Sequence, residues 1–436
     1  MAEDTSSKIE SLVDQASSRE ALGQYEAAAA LYEQVLALQE NAAGAAGSDV
    51  AAALHQLAGV YTTMSRYADA EPLLRRALAI FEETQGLDSP DVVNPLNGLA
   101  RLQIARGDYA DAESSAQRAK AILDAALGLA TNETSLDATP PDRLPSGVAV
   151  PVEVHIIYQQ SLTALGEARR YLGRYDAAEP LLRRALALAS TIYGPRDTEV
   201  AASLNNLGVL CKYQGNYEEA ESHYRSALGI LEQAFGSDDP QLAGILYNLA
   251  GICHAQNRGE KGEPLARRAL ALREQYLGPD HPDVALALSN VGANLDIQRK
   301  YDAAQTCYQR SIAILEKAFG PEHRDVAMNL NNLAAVCHAR GRFEEAEEHY
   351  RRSLEIKEKT LGPEHADVAT GLNNLAVFYS SRKRHVEAQP LYARCLHILN
   401  KAFAKEHPLV RAVVKNYRDC LTNLGREKEA ERMFDT

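Results

Sequence analysis

From Asn331 the chain runs Asn331-Asn332-Leu333-Ala334-Ala335-Val336-Cys337-His338-Ala339-Arg340-Gly341-Arg342-Phe343-Glu344-Glu345-Ala346-Glu347-Glu348-His349-Tyr350-Arg351-Arg352-Ser353-Leu354-Glu355-Ile356. Apolar residues recur three and four apart on both sides of Gly341, which predicts two helices joined by a tight turn. In the second helix Ala346, Tyr350, Ser353 and Leu354 form the inner stripe. The first helix is clearest one copy later, where Asp367 to Tyr379 places Val368, Leu372, Leu375, Ala376 and Tyr379 on one face.

The segment is copied along the whole chain. The residue two before the aromatic of the turn falls at Gly23, Ser65, Gly107, Gly173, Gly215, Asn257, Arg299, Gly341, Lys383 and Gly425. Successive spacings are 42 residues, except for one of 66 between Gly107 and Gly173, a period plus a 24-residue insertion. Five residues after this anchor stands a small residue: Ala28, Ala70, Ala112, Ala178, Ala220, Gly262, Ala304, Ala346, Ala388 and Ala430. Twenty-one after it stands Gly44, Gly86, Gly128, Gly194, Gly236, Gly278, Gly320 or Gly362, expected to supply the left-handed residue that ends the second helix. Pro90, Pro240 and Pro282 then suit the first turn of the next helix, where a missing N–H costs nothing. A further small column runs Ala16, Ala58, Ala100, Gly166, Gly208, Ala250, Gly292, Ala334 and Ala376. Its expected role is to let the two helices of a unit approach closely while Tyr and Leu fill the space beside it.

One helix pair cannot bury its apolar stripe alone, so neighbours must stack into a continuous core. The expectation is therefore an all-α, right-handed superhelical solenoid of about ten helix-turn-helix units, although 436 residues alone suggest about three domains. Residues 1–8 read as an amino-terminal tail, 9–128 as repeats 1–3, 129–152 as a Pro-rich insertion loop and 153–436 as repeats 4–10. Copying also accounts for a composition with 20 Tyr and no Trp.

The 46 basic and 59 acidic residues give a net charge of −13, which speaks against a protein that tracks phosphates, so no nucleic acid is expected. The first residues lack a basic segment followed by an apolar one, and no stretch approaches the ~18 apolar residues of a membrane span. No membrane and a cytoplasmic location are expected. Cys211, Cys253, Cys307, Cys337, Cys395 and Cys420 contain no CxxC pair and fall on the repeat, so they read as buried core thiols. No phosphate loop, GxSxG or HExxH is present, so no catalytic residue, cofactor or metal is expected. His281, His323, His365 and His407 recur in the linkers. A row of equivalent sites about 8–10 Å apart cannot converge on one ion held at about 2 Å, so they are expected to be structural.

The segments Asn331 to Cys337, Gly341 to Glu347 and Tyr350 to Leu354 together resemble a tetratricopeptide repeat. The 42-residue period and the linker Leu277-Gly278-Pro279-Asp280-His281-Pro282-Asp283-Val284-Ala285 resemble the kinesin-light-chain type in particular. The resemblance implies a concave groove lined by first helices, in which Asn amides hold an extended peptide or its terminal carboxylate. Kinesin light chains also carry a coiled coil before the repeats; at most eight residues precede them here, so motor association is not expected.

On that face stand Asn205, Asn206, Asn248, Asn290, Asn331, Asn332, Asn373 and Asn374. Asn is a poor helix-interior residue, so its repetition needs a reason. Two are open: gripping a peptide backbone with one donor and one acceptor, or bonding neighbouring helices. Seven residues beyond the first Asn position stand Arg170, Lys212, His254, Asp296 and His338, with Tyr171 and Tyr213 beside the first two. This mildly basic, aromatic strip favours an acidic segment or a C-terminal carboxylate. The reading is a non-enzymatic scaffold or adaptor that binds a protein or peptide, with a homodimer through the terminal repeats as a further expectation. The alternatives are a recognition or regulatory subunit of a protease or NTPase acting in trans, a cargo adaptor, or a small-molecule sensor.

Overall fold

The anchor column explains why the chain turns where it does. In the computed structural model, which describes residues 2–21, 23–43, 46–129, 149–402 and 408–432, all ten anchors have positive φ, from 57° at Asn257 to 94° at Gly107. Six are Gly, and Ser65, Asn257, Arg299 and Lys383 adopt the left-handed conformation against the preference of a side chain. The next residue then donates its N–H back to the helix, as Arg342 does to Cys337 O at 2.9 Å, and the second helix starts at once.

The glycine 21 residues further on differs from the expectation. Gly86, Gly194, Gly278, Gly320 and Gly362 have φ of 83° to 95° but ψ of 155° to 165°, as at Gly362 (84°, 155°) and Gly320 (88°, 165°). This is not the left-handed helical region; it is the mirror-image extended region that only Gly enters at low cost. It sends the chain out along the linker instead of curling it back.

Two compact units result, divided at Ala234–Phe235. The helix pairs of the first are Ala2–Ala21 with Tyr25–Ala43, Ser48–Thr63 with Tyr67–Gln85, Val93–Arg106 with Tyr109–Ala126, Val152–Tyr171 with Tyr175–Tyr193, and Thr198–Gln214 with Tyr217–Phe235. Those of the second are Leu242–Ala255 with Gly259–Leu277, Pro282–Ile297 with Tyr301–Phe319, Arg324–Ala339 with Phe343–Leu361, Ala366–Ser381 with His385–Ala402, and Pro408–Asn423 with Glu427–Arg432. They are repeats 1–5 and 6–10. The first helix begins at Ala2, so it takes in the residues expected to form a tail.

The small columns pack as their size demands. Every Ala five residues after an anchor is buried. A methyl built on Gly208 would lie 2.6 Å from the Tyr224 ring, and one on Gly166 would lie 2.7 Å from Leu182. Tyr158, Tyr224, Tyr308 and Tyr392 are among the largest fully buried side chains, each burial contributing roughly 1.5–3 kcal/mol or more.

The insertion does not interrupt the stack. Across it, Asn97 donates to Ile157 O at 3.2 Å and accepts from Ser161 Oγ at 2.9 Å. Tyr158 donates to Asp124 at 2.7 Å, and Asp124 is paired with Lys120 at 2.6 Å inside the core. The Pro-rich stretch expected to be a loop lies outside the described residues, apart from Leu129 and residues 149–152, of which Pro151 caps and Val152 opens the next helix.

On the second helices the charges form an inter-repeat ladder as well as the expected intrahelical pairs. Arg118 pairs with Glu82, Arg310 with Glu274, Arg352 with Glu316 and Arg394 with Glu358, each 36 residues apart. Arg118, Arg310 and Arg394 also donate to a linker carbonyl 31 residues back.

Candidate functional site

The linker column shows how one backbone requirement is met by different side chains. Ser89 Oγ, Asp197 and Asp239 each accept from the N–H two residues on, at 3.3, 2.9 and 2.9 Å. His281, His323 and His365 occupy the same place, and their Nδ1 accepts from Asp283, Asp325 and Asp367 at 3.1, 3.3 and 3.1 Å. These histidines are helix caps. His407 of the same column lies outside the described residues.

In each unit the first helices of consecutive repeats touch one another, as Val93–Arg106 touches Val152–Tyr171 and Leu242–Ala255 touches Pro282–Ile297. The Asn columns lie on these first helices. In the second unit these amides bond neighbouring helices. Asn290 donates to Tyr247 O at 2.8 Å, Asn374 to Asn331 Oδ1 at 2.9 Å and Asn416 to Asn373 Oδ1 at 3.5 Å, always 43 residues apart. Asn294 adds a fully buried amide that donates to Asn290 O at 3.0 Å and Ala250 O at 3.3 Å. Of the two roles open to these residues, the inter-helix one is thus present in the geometry. His338 is engaged too, with Nε2 3.0 Å from Ser381 Oγ and its ring edge-on to Phe378 at 5.2 Å.

The first unit gathers charge instead. Arg170 is only 9% exposed, and its Nε meets no acceptor. Its guanidinium lies 4.0 Å from the Tyr171 ring centre and 5.8 Å from that of Tyr213. The two tyrosines are exposed, at 44% and 56%, and are themselves stacked, Tyr171 on Tyr109 at 4.4 Å and Tyr213 on Tyr175 at 6.1 Å. Lys212 precedes Tyr213 on the same helix, and burial lowers its pKa from the ordinary amine value. Asn206 donates to Glu167 at 2.7 Å. Burial raises the Glu167 pKa, while Arg170, the Asn206 hydrogen bond and Arg101 hold it down. Arg101 also acts with burial to push His55 down to about 4, so this imidazole is neutral near pH 7. Two cations, Arg170 and Arg101, therefore act on the one Glu167 carboxylate.

Family models for the tetratricopeptide repeat match residues 11–45, 49–125, 158–233, 241–317, 297–359 and 368–409. The chain belongs to the tetratricopeptide repeat family. No curated protein sequence matches it. Among solved structures it is similar to the apo quorum sensor NprR from B. thuringiensis, 14% identical with a TM-score of 0.59, over 90% of this chain and 99% of that one. It is also similar to BtubC from P. vanneervenii, 25% identical with a TM-score of 0.43, over 48% of this chain and 84% of that one. A third is a putative kinesin light chain from Podosopora anserina with nearly identical TPR-like repeats, 21% identical with a TM-score of 0.39, over 45% of this chain and 93% of that one. The NprR likeness shows the fold.

Within these tetratricopeptide repeats the expected site residues separate into two groups. Arg170, Asn206 and Tyr213 gather with Glu167 and Tyr171 on repeats 4 and 5, and Asn205 and Lys212 share the helix of Asn206. Asn248, His254, Asn290, Asn331, Asn332, His338, Asn373 and Asn374 lie on the first helices of repeats 6–9. Two residues of the charged cluster, His55 and Glu167, escaped the sequence reading. Glu167 had a partial signal: its column is small or apolar at Gly59, Val209, Gly251, Ala293, Ala335 and Val377, and charged elsewhere only at Arg101 and Asp419.

Proposed function

We propose that the inner face of repeats 4 and 5 binds an extended acidic segment or a C-terminal carboxylate of a partner protein. A stack of tetratricopeptide repeats is a protein-interaction scaffold in the general sense, and the chain is one. What carries the finer reading is Arg170, a nearly buried cation whose Nε lacks an acceptor and whose face rests on Tyr171. A carboxylate arriving beside this guanidinium meets a cation that is already largely desolvated, so a charge-assisted contact there costs little further desolvation. Lys212, already desolvated, regains a partner at the same moment. The exposed face of Tyr213 takes an apolar group of the ligand, and Asn206 offers its amide to the peptide backbone.

On this reading the protein acts without catalysis and in the cytoplasm. A second copy docking through the terminal repeats is a further partner, for which a light-scattering mass of one 47.6 kDa chain is the contrary result. The groove assignment is tested with fluorescent decapeptides of acidic, neutral and basic composition and the Asn206→Ala, Lys212→Ala double variant. Acidic peptides should bind best and lose affinity in the variant. Equal affinity with an unchanged circular dichroism spectrum overturns it.

A further inference from the structure

Beyond the inner face, three columns of the repeat meet where the first helix ends and the second begins. Four residues before the anchor, four after it and eight after it, repeat 5 carries Cys211, Glu219 and His223, and repeat 8 carries Cys337, Glu345 and His349. In each triad a thiol, a carboxylate oxygen and an imidazole nitrogen lie within 4.8 Å of one another. The other repeats show that this is not a by-product of copying. Repeat 6 has Cys253 but Lys261 and Leu265; repeat 7 has Leu295, Ala303 and Cys307; repeat 9 has Glu387 but Tyr379 and Leu391. Repeats 1, 2 and 4 place Leu31, Leu73 and Leu181 at the His position. Among the described residues, His stands in this column only where Cys and Glu stand in theirs.

We propose that repeats 5 and 8 each bind a divalent transition-metal ion of the zinc class through these three side chains. The ligand set is the mixed sulfur, nitrogen and oxygen set that zinc accepts, with a fourth position left to water. Glu and His four apart on one helix face present their ligand atoms to the same point, and the Cys enters from the facing helix. Bond lengths of about 2.0–2.3 Å imply ligand atoms about 3.3–3.8 Å apart in a tetrahedron, so the triad closes with small rotamer adjustments. His223 Nε2 is buried without a hydrogen-bond partner and faces Glu219 at 3.5 Å. The carboxylates also pair with arginines, Glu219 with Arg183 at 2.7 Å and Glu345 with Arg342. A carboxylate has about four lone-pair sites, so it can keep the arginine and still ligate the ion. Binding forms one metal–sulfur bond per site and releases the thiol proton to buffer.

The test uses the full chain, reduced and stripped with chelator, titrated with Co²⁺ as the optical probe and then with Zn²⁺. The expected result is a near-ultraviolet sulfur-to-cobalt charge-transfer band that saturates at two equivalents and disappears on adding Zn²⁺. His223→Leu and His349→Leu should each remove one equivalent; Leu is the residue other repeats place there, so the helices stay folded, as circular dichroism checks. Cobalt held by surface histidines gives no thiolate band. The absence of that band, or a band that survives both substitutions together, overturns the proposal. One equivalent lost in only one variant overturns it for the other repeat.

Discussion

Gly262 and Asn294 show how the repeat bends its own rules. Elsewhere the column of Gly262 holds Ala, and that of Asn294 holds apolar residues such as Val60, Leu102, Ile252 and Val336. A methyl on Gly262 would stand 1.9 Å from Asn294 Oδ1, so the missing side chain makes the space for the buried amide. Gly262→Ala should therefore destabilise the protein by about 1–3 kcal/mol as an overpacking change. Asn294→Leu in the Gly262→Ala background should recover most of that loss, since it restores the combination other repeats carry. A urea double-mutant cycle measures the coupling, and additive effects would contradict the account. Both departures were visible as column breaks in the sequence. That they compensate one another was not, because only the three-dimensional packing shows which columns touch.

At the scale of the helix, the repeat solves one capping problem with three residue types. His281, His323 and His365 do through Nδ1 what Ser89, Asp197 and Asp239 do through oxygen. Replacing His281 by Ala should cost about 0.5–2 kcal/mol, whereas His281→Asp should keep the cap. Urea midpoints of the two variants decide between a cap and a mere linker residue, which would leave both unchanged. Helix ends were the most legible feature, since the anchors and linker glycines punctuate every copy. Besides the start of the first helix, which takes in the expected tail, the misreading concerned dihedral angle. A Gly at a helix end points to positive φ, yet it does not distinguish the left-handed helical region from the mirror-image extended one found at Gly320 and Gly362.

Across the molecule the acidic surplus is built into partnerships. Glu263 accepts from Lys300, Arg267 and Gln298, and its pKa falls to about 2 from an ordinary 4.5. Glu71, Glu179, Glu219 and Glu347 are also lowered, chiefly by arginine partners or, at Glu179, by Gln214 first. A carboxyl with a depressed folded pKa stabilises above its unfolded value and loses that contribution as pH falls through the folded one. Stability should thus decline from about pH 4.5 toward pH 2, with Glu263→Gln showing a shallower decline in a pH series of thermal melts. Glu167 and Asp296, raised by burial, act in the opposite sense.

The period made the stacked-pair fold legible from one segment, because each copy repeats the same burial problem. The candidate site was legible only as far as its columns. Arg170 and Lys212 were readable as a basic strip, but the burial of Arg170 between tyrosine rings and the unmet Nε depend on distances no pattern encodes. Arg170 carries the central claim. Isothermal titration of an acidic decapeptide against the native chain and Arg170→Gln tests it directly. Loss of a charge-assisted hydrogen bond worth about 1.5–3 kcal/mol predicts binding weaker by about tenfold or more. Equal affinity in the two proteins, with the fold intact, would contradict it.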